Sequence, residues 1–147
     1  MVNSNLPNNL PERPELTVPV KIYFYDTDAG GVVHNVAYLR LIEQARSELA
    51  EHLGWSLAEM GQGACPVVAR TEIDYLKPAR LGDVLEIRGR MVEVGRVKFV
   101  LAFEVVRPSD GALIARCRQE MVTVDLKSGR PVRLREDWRK RWPQCAS

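Results

Sequence analysis

The chain has no apolar run approaching the ~18 residues of a membrane-spanning helix, and its start lacks the basic residues and apolar core of a signal peptide. A cytoplasmic protein is expected. Cys65, Cys117 and Cys145 are widely spaced and form no Cys-x-x-Cys pair, which argues against a disulfide framework or a structural zinc site. Only His34 and His52 accompany them, so no metal site is expected. There is no Gly-x-Ser-x-Gly nucleophile elbow and no obvious Cys-His pair, which removes the familiar serine and thiol routes for acyl transfer. A net charge of +2 is too small to argue for nucleic acid as a partner. Internal repeats and low-complexity tracts are absent as well.

What is present fits one domain. The 147 residues are 46% hydrophobic, enough to bury a real core. Residues 1–17 are polar and proline-rich and are expected to form a disordered leader. Residues 18–147 then form a single domain ending in a basic tail.

The most informative stretch runs from Tyr25 to Arg46: two acids one residue apart, Asp26 and Asp28, a glycine pair, Gly30 and Gly31, and then a helical pattern. Tyr38, Ile42, Ala45, Leu49 and Leu53 recur at three- and four-residue intervals, Asn35 is placed as the N-cap and Gly54 as the stop. Leu39, Leu41 and Ala50 widen the apolar stripe, so this helix is expected to be covered on more than one side. Its first amides have no partner within the helix, and the dipole there favours negative charge, so a carbonyl oxygen could be polarised at that point with Asp28 nearby.

The remainder reads as strands. Val18, Val20, Ile22 and Phe24 share one face of a first strand, Val18 to Tyr25. Trp55 to Met60 looks like a short helical turn. Alternation over Val67–Tyr75, Leu85–Met91, Val97–Val105 and Ala112–Asp125, broken at Gly82-Asp83, Gly95-Arg96 and Pro108–Gly111, gives four more strands joined by short turns. The segment from Val132, with Arg133, Arg135, Arg139, Lys140, Arg141, Trp138 and Trp142, reads as a solvated basic end, with a short helix as the alternative. One apolar helix and a meandering antiparallel sheet can bury each other only if the sheet curls around the helix, an α+β arrangement. A wide sheet is not fully hidden by one helix, so self-association through edges or faces is expected.

These residues resemble the hotdog-fold acyl-CoA thioesterases of the 4-hydroxybenzoyl-CoA thioesterase and YbgC type. The resemblance covers roughly Val20 to Asp125 and is sharpest at Tyr25-Asp26-Thr27-Asp28-Ala29-Gly30-Gly31-Val32-Val33, at Tyr38 and Glu43-Gln44-Ala45-Arg46, and at Asp74 through Asp83. It implies a hotdog fold, one long central helix wrapped by a curved antiparallel five-stranded sheet. It also implies that Asp28 is the catalytic carboxylate, as nucleophile or general base, and that the Asn35 backbone amide polarises the thioester oxygen. Basic residues near the hairpin between the central strands hold the nucleotide end of coenzyme A, which points to Arg96 and Lys98. Dimers joined edge to edge, with active sites at the subunit interface, and tetramers built from them are implied too.

His34 is a candidate for a direct contribution, although a polar lining role is the plainer reading. Asp26 is expected to be structural, bonding loop amides and holding Asp28. Glu43 could compete with Asp28, but Arg46 three residues on offers an ordinary helical ion pair. Tyr38 either lines the acyl pocket or packs in the core. The expected activity is hydrolysis of an acyl-CoA to a free acid and CoA, with no cofactor beyond the CoA of the substrate. An enzyme acting on acyl carrier protein and a catalytically silent acyl-CoA binding protein are the alternatives.

Overall fold

The computed structural model describes residues 10–55 and 63–147. The helical turn expected over Trp55–Met60 falls, after Trp55, outside the described residues. Five strands form one antiparallel sheet: β1 (Glu15–Lys21), β2 (Ala64–Tyr75), β3 (Val84–Val94), β4 (Lys98–Arg107) and β5 (Ala112–Asp125). Their order is β1-β3-β4-β5-β2. The 18-residue helix α1 (Asn35–His52) lies across β1 and β3. Leu41, Ile42, Ala45, Leu49 and Leu53 face a core with Leu85, Ile87, Phe99, Leu101, Phe103 and Ile114 from the sheet. No described helix is long and apolar enough to cross a membrane.

Close contact between helix and sheet depends on Gly89. A Cβ there would stand 2.8 Å from a Phe103 ring carbon and 3.3 Å from Leu49 Cδ2. Both neighbours are buried, so neither can retreat into solvent. Gly89→Ala is therefore expected to destabilise the fold by about 1–3 kcal/mol through overpacking, read as a lower denaturant midpoint in equilibrium unfolding.

Three sequence expectations change. Strand β1 begins at Glu15, inside the segment expected to be a disordered leader, because Pro14 carbonyl accepts from the Met91 amide at 2.9 Å and continues the β1–β3 pairing. The same strand stops at Lys21, and Phe24–Asp26 form a 3-10 turn. Phe24 consequently points outward at 81% exposure instead of sharing the buried face of Val18, Val20 and Ile22.

The third change is the carboxyl-terminal segment. Its alternative reading holds: Glu136–Arg141 form a short helix, α2, and Trp138 and Trp142 are buried. Trp138 Nε1 donates to the Leu53 carbonyl at 2.9 Å, and Arg135 donates to the Gly54 carbonyl. The tail thus supplies donors to carbonyls at the end of α1 that the helix itself leaves unpaired. Trp142 Nε1 reaches the Pro11 carbonyl at 3.0 Å and ties down the amino-terminal segment too.

Edge strand β2 is mostly exposed along its 12 residues, with Val67, Val68 and Tyr75 each about two-fifths accessible. A long edge of this kind offers unpaired backbone groups to a second strand.

Candidate active site

The acid loop closes on itself between β1 and α1. Thr27 and Val33 form an antiparallel bridge, the Asp28 amide donates to the Val32 carbonyl at 2.8 Å, and the Gly31 amide donates back to the Asp28 carbonyl at 3.0 Å. Gly31 has φ of 74°, a left-handed conformation that lets the chain reverse here without the penalty a side chain would carry.

Asp28 sits at the tip of this turn. Its Oδ1 accepts from the Gly30 amide at 2.8 Å and the Val32 amide at 3.3 Å. Among the described residues Oδ2 has no partner, so one oxygen is fixed while the other stays free to act.

A second stretch holds the loop from outside. The Val33 amide donates to the Ala79 carbonyl at 2.8 Å, the Leu81 amide donates to the Gly31 carbonyl at 3.1 Å, and Val32 bridges Arg80. The turn after β2 is in turn held by Asp83, which accepts from the Arg80 amide at 2.9 Å and from Arg107 at 3.0 Å. Arg107 also grips Asp110, whose carboxyl is held down to about 2, first by that hydrogen bond and next by the Ala112 amide. Since the folded value is depressed, the pairing is present above the ordinary value of 3.8 and is lost only as pH falls through about 2.

Asp26 has a different environment from Asp28. It is buried, its Oδ2 accepts from the Tyr23 amide at 2.9 Å, and its Oδ1 pairs with Arg40 on α1. The Asp26 carbonyl accepts from the His34 amide at 3.1 Å. One residue therefore fastens both ends of the loop to the helix, and the Arg40 guanidinium lies 5.3 Å from the Tyr25 ring centre.

The sequence pattern places Asn35 as the helix cap, but His34 holds that position: its Nδ1 accepts from the Ala37 amide at 3.2 Å. Histidine can do this because an unprotonated Nδ1 is an acceptor like a capping carboxylate or hydroxyl. That bond leaves its Nε2 as the nitrogen carrying the proton. Asn35 becomes the first helical residue. Among the described residues neither its amide nor that of Val36 finds an acceptor, so two donors at the positive end of α1 face outward beside the Asp28 loop.

Tyr38 is buried, its ring centre 5.6 Å from that of Tyr75, and burial raises its hydroxyl above the usual tyrosine range against the opposing pull of the Ala79 backbone. Tyr75 donates its hydroxyl to the Asn35 carbonyl at 3.3 Å. Arg96 and Lys98 lie at the β3–β4 hairpin, whereas the loop meets the other end of β3, where Lys21 pairs Val84. At ~3.3 Å per residue, β3 separates the two ends by roughly 33 Å. A single chain does not bring Arg96 and Lys98 to Asp28. Lys98 also pairs with Glu120 at 3.4 Å.

A polar chain that the sequence does not announce runs from the helix to the sheet through the buried Gln119. Arg46 makes the expected pair with Glu43, at 3.6 Å, but also donates to Gln119 Oε1 at 2.7 Å, and Gln119 donates on to Thr71 Oγ1 at 3.3 Å. Burial lowers the Arg46 value, with Glu43 opposing it. Gln119 stands between Arg118 and Glu120 on β5, and its pairing with a helix arginine 73 residues earlier has no local signal.

Comparison with known proteins identifies the family. The sequence model of the Thioesterase-like superfamily matches residues 22–142. The acyl-CoA thioester hydrolase YbgC of Escherichia coli O6:H1 is 34% identical over 108 residues, 73% of this chain and 80% of that protein. The acyl-CoA thioesterase YbgC of Haemophilus influenzae is 33% identical over 117 residues, 78% of this chain and 84% of its own length. Among solved structures, a 1,4-dihydroxy-2-naphthoyl-CoA thioesterase from Synechocystis has the same fold, with a TM-score of 0.78 at 22% identity, covering 86% of this chain and 94% of that one. With the helix, the sheet order and the family match in agreement, the chain belongs to the thioesterase-like superfamily and has its hotdog fold.

Proposed function

We propose that this chain hydrolyses an acyl-CoA thioester to a free carboxylic acid and CoA. The observation that carries the reading is one carboxylate with a free oxygen, Asp28 Oδ2, on a loop pinned beside two unpaired helix amides. As general base, Asp28 takes a proton from water while the water oxygen bonds to the thioester carbon, and the Asn35 amide holds the resulting oxyanion. Collapse breaks the carbon–sulfur bond and releases the CoA thiolate. As nucleophile, the same oxygen bonds to the carbon, the carbon–sulfur bond breaks to expel the CoA thiolate, and water then cleaves the resulting anhydride to the free acid and the Asp28 carboxylate. Thiolates leave readily, so neither route needs a strong general acid, a metal or a redox cofactor. The His34 Nε2 proton is a further donor beside the helix start.

A homodimer, by itself or as half of a homotetramer, completes this site. Two copies of β2 paired antiparallel about a two-fold lay the Tyr75 end of one beside the Ala64 end of the other. The hairpin carrying Arg96 and Lys98 belongs to the Ala64 end, since Lys98 pairs Val122 and Val122 pairs Val67. The partner's hairpin therefore supplies the basic residues for the nucleotide that the same chain's hairpin cannot. The protein is assigned to the cytoplasm, where acyl-CoA is made.

Acyl-CoA and acyl carrier protein share the phosphopantetheine arm, and the nucleotide end separates them. Arg96→Ala with Lys98→Ala is expected to raise KM for acyl-CoA roughly five-fold per residue, with kcat unchanged, and added salt should shrink the difference. Thiol release only from acyl carrier protein, unaffected by the double change, would favour the carrier reading; tight acyl-CoA binding without thiol release would favour a binding protein.

A further inference from the structure

Beneath the second half of α1, at the Ala64 end of β2, lies a cavity of about 260 Å³. Its inner wall is apolar and buried, formed by Leu49, Phe99, Leu101, Met121 and Trp138. Glu43, its ion-pair partner Arg46 and Ser47 line its polar side with the start of β2, Cys65 and Pro66, and Glu43 is two-thirds exposed. Such a compartment suits a ligand that is apolar at one end and polar at the other.

We propose that this cavity receives the acyl group, and that its size selects a compact one: a single aromatic ring or a chain of medium length. This rests on the thioesterase reading above. The same edge pairing that brings the partner's hairpin to Asp28 brings the partner's Cys65 end of β2, and so a cavity rim, beside Tyr75 and Asn35. The thioester then lies at the rim, between the free amides of one copy and the apolar compartment of the other. An apolar protein cavity of ~150 Å³ holds benzene, or about 25 Å³ per carbon, so 260 Å³ admits about ten carbons and excludes a chain of roughly sixteen. The far wall is closed by Trp138, whose ring stands 5.4 Å from Phe99 and 5.7 Å from Trp55, centre to centre. Among the described residues, a longer chain that runs on past this wall displaces a buried tryptophan.

The test compares kcat/KM for acetyl-, benzoyl-, octanoyl- and palmitoyl-CoA in wild type, Ala50→Phe, which places a ring in the cavity, and Met121→Ala, which enlarges it. Wild type should prefer benzoyl- or octanoyl-CoA over palmitoyl-CoA. Ala50→Phe should lower the octanoyl-to-acetyl ratio about ten-fold or more, and Met121→Ala should raise the palmitoyl-to-octanoyl ratio, both in the range that pocket volume commands. A wild type that prefers palmitoyl-CoA, or ratios unmoved in both variants, overturns the assignment of the cavity while Asp28-dependent thiol release keeps the thioesterase reading intact. Absence of thiol release from every acyl-CoA overturns both.

Discussion

Asp28→Asn is expected to lower kcat for acyl-CoA hydrolysis by about 100-fold or more, the scale associated with removing an acid–base group. The substitution separates chemistry from architecture because the two carboxylate oxygens do different work. Oδ1 accepts from the Gly30 and Val32 amides, and an asparagine carbonyl oxygen can accept the same two bonds. What disappears is the charge and the free lone pairs on the other oxygen. Stability should change by about 0.5 kcal/mol or less, as for an exposed position whose bonds survive, and KM should move little. Asp26→Asn should behave oppositely. That carboxylate is buried against Arg40 and the Tyr23 amide, so its neutralisation loosens the loop and lowers stability before it touches the reacting atoms. Thermal melts beside steady-state kinetics on the two variants distinguish these outcomes.

The largest effect on stability is expected from Trp138→Ala, at about 3–5 kcal/mol, the cost of truncating a fully buried large aromatic. The ring makes edge contacts with Trp55 and Phe99, lies near Trp142, and donates to the Leu53 carbonyl at the end of α1. Alanine removes the packing and the donor together, and leaves a buried carbonyl without its partner. Urea unfolding followed by far-UV circular dichroism measures the difference. A change under about 0.5 kcal/mol would mean that the tail lies in solvent after all.

The sequence-level account is accurate where signals are local or periodic. Alternation in β3 and β4 gave faces and turns directly, β5 was legible as a strand with less cleanly separated faces, and the 3.6-residue recurrence from Tyr38 to Leu53 gave α1 and its buried stripe. The loop was legible because Asp28, Gly30 and Gly31 carry chemistry that a short reversal requires. Three kinds of feature were not legible. Phe24 satisfies the alternation of β1 yet points outward, because the 3-10 turn that begins there is imposed by Asp26 accepting from the Tyr23 amide. Arginine-rich spacing hid the two tryptophans of the tail, whose burial depends on Leu53, Phe99 and Pro11 far away in sequence. His34 took the capping place of Asn35 because a ring nitrogen satisfied the Ala37 amide, a role composition does not advertise. The distance between Asp28 and Arg96 follows only from strand order and register, and the proposed second copy rests on it.

The proposed site combines Asp28 of one copy with the cavity of the other. Its most direct test is thiol release from octanoyl-CoA by mixed dimers, isolated through two different affinity tags, in which one chain carries Asp28→Asn and the other Ala50→Phe. Each variant alone should be nearly inactive on this substrate. In the mixed dimer one site combines an intact Asp28 with an unblocked cavity, so activity should return to about half of the wild-type rate, as a two-fold dimer with one working site requires. Mixed dimers as inactive as their parents would contradict a site shared between copies, and full activity of the Asp28→Asn parent would contradict the catalytic role of Asp28 itself.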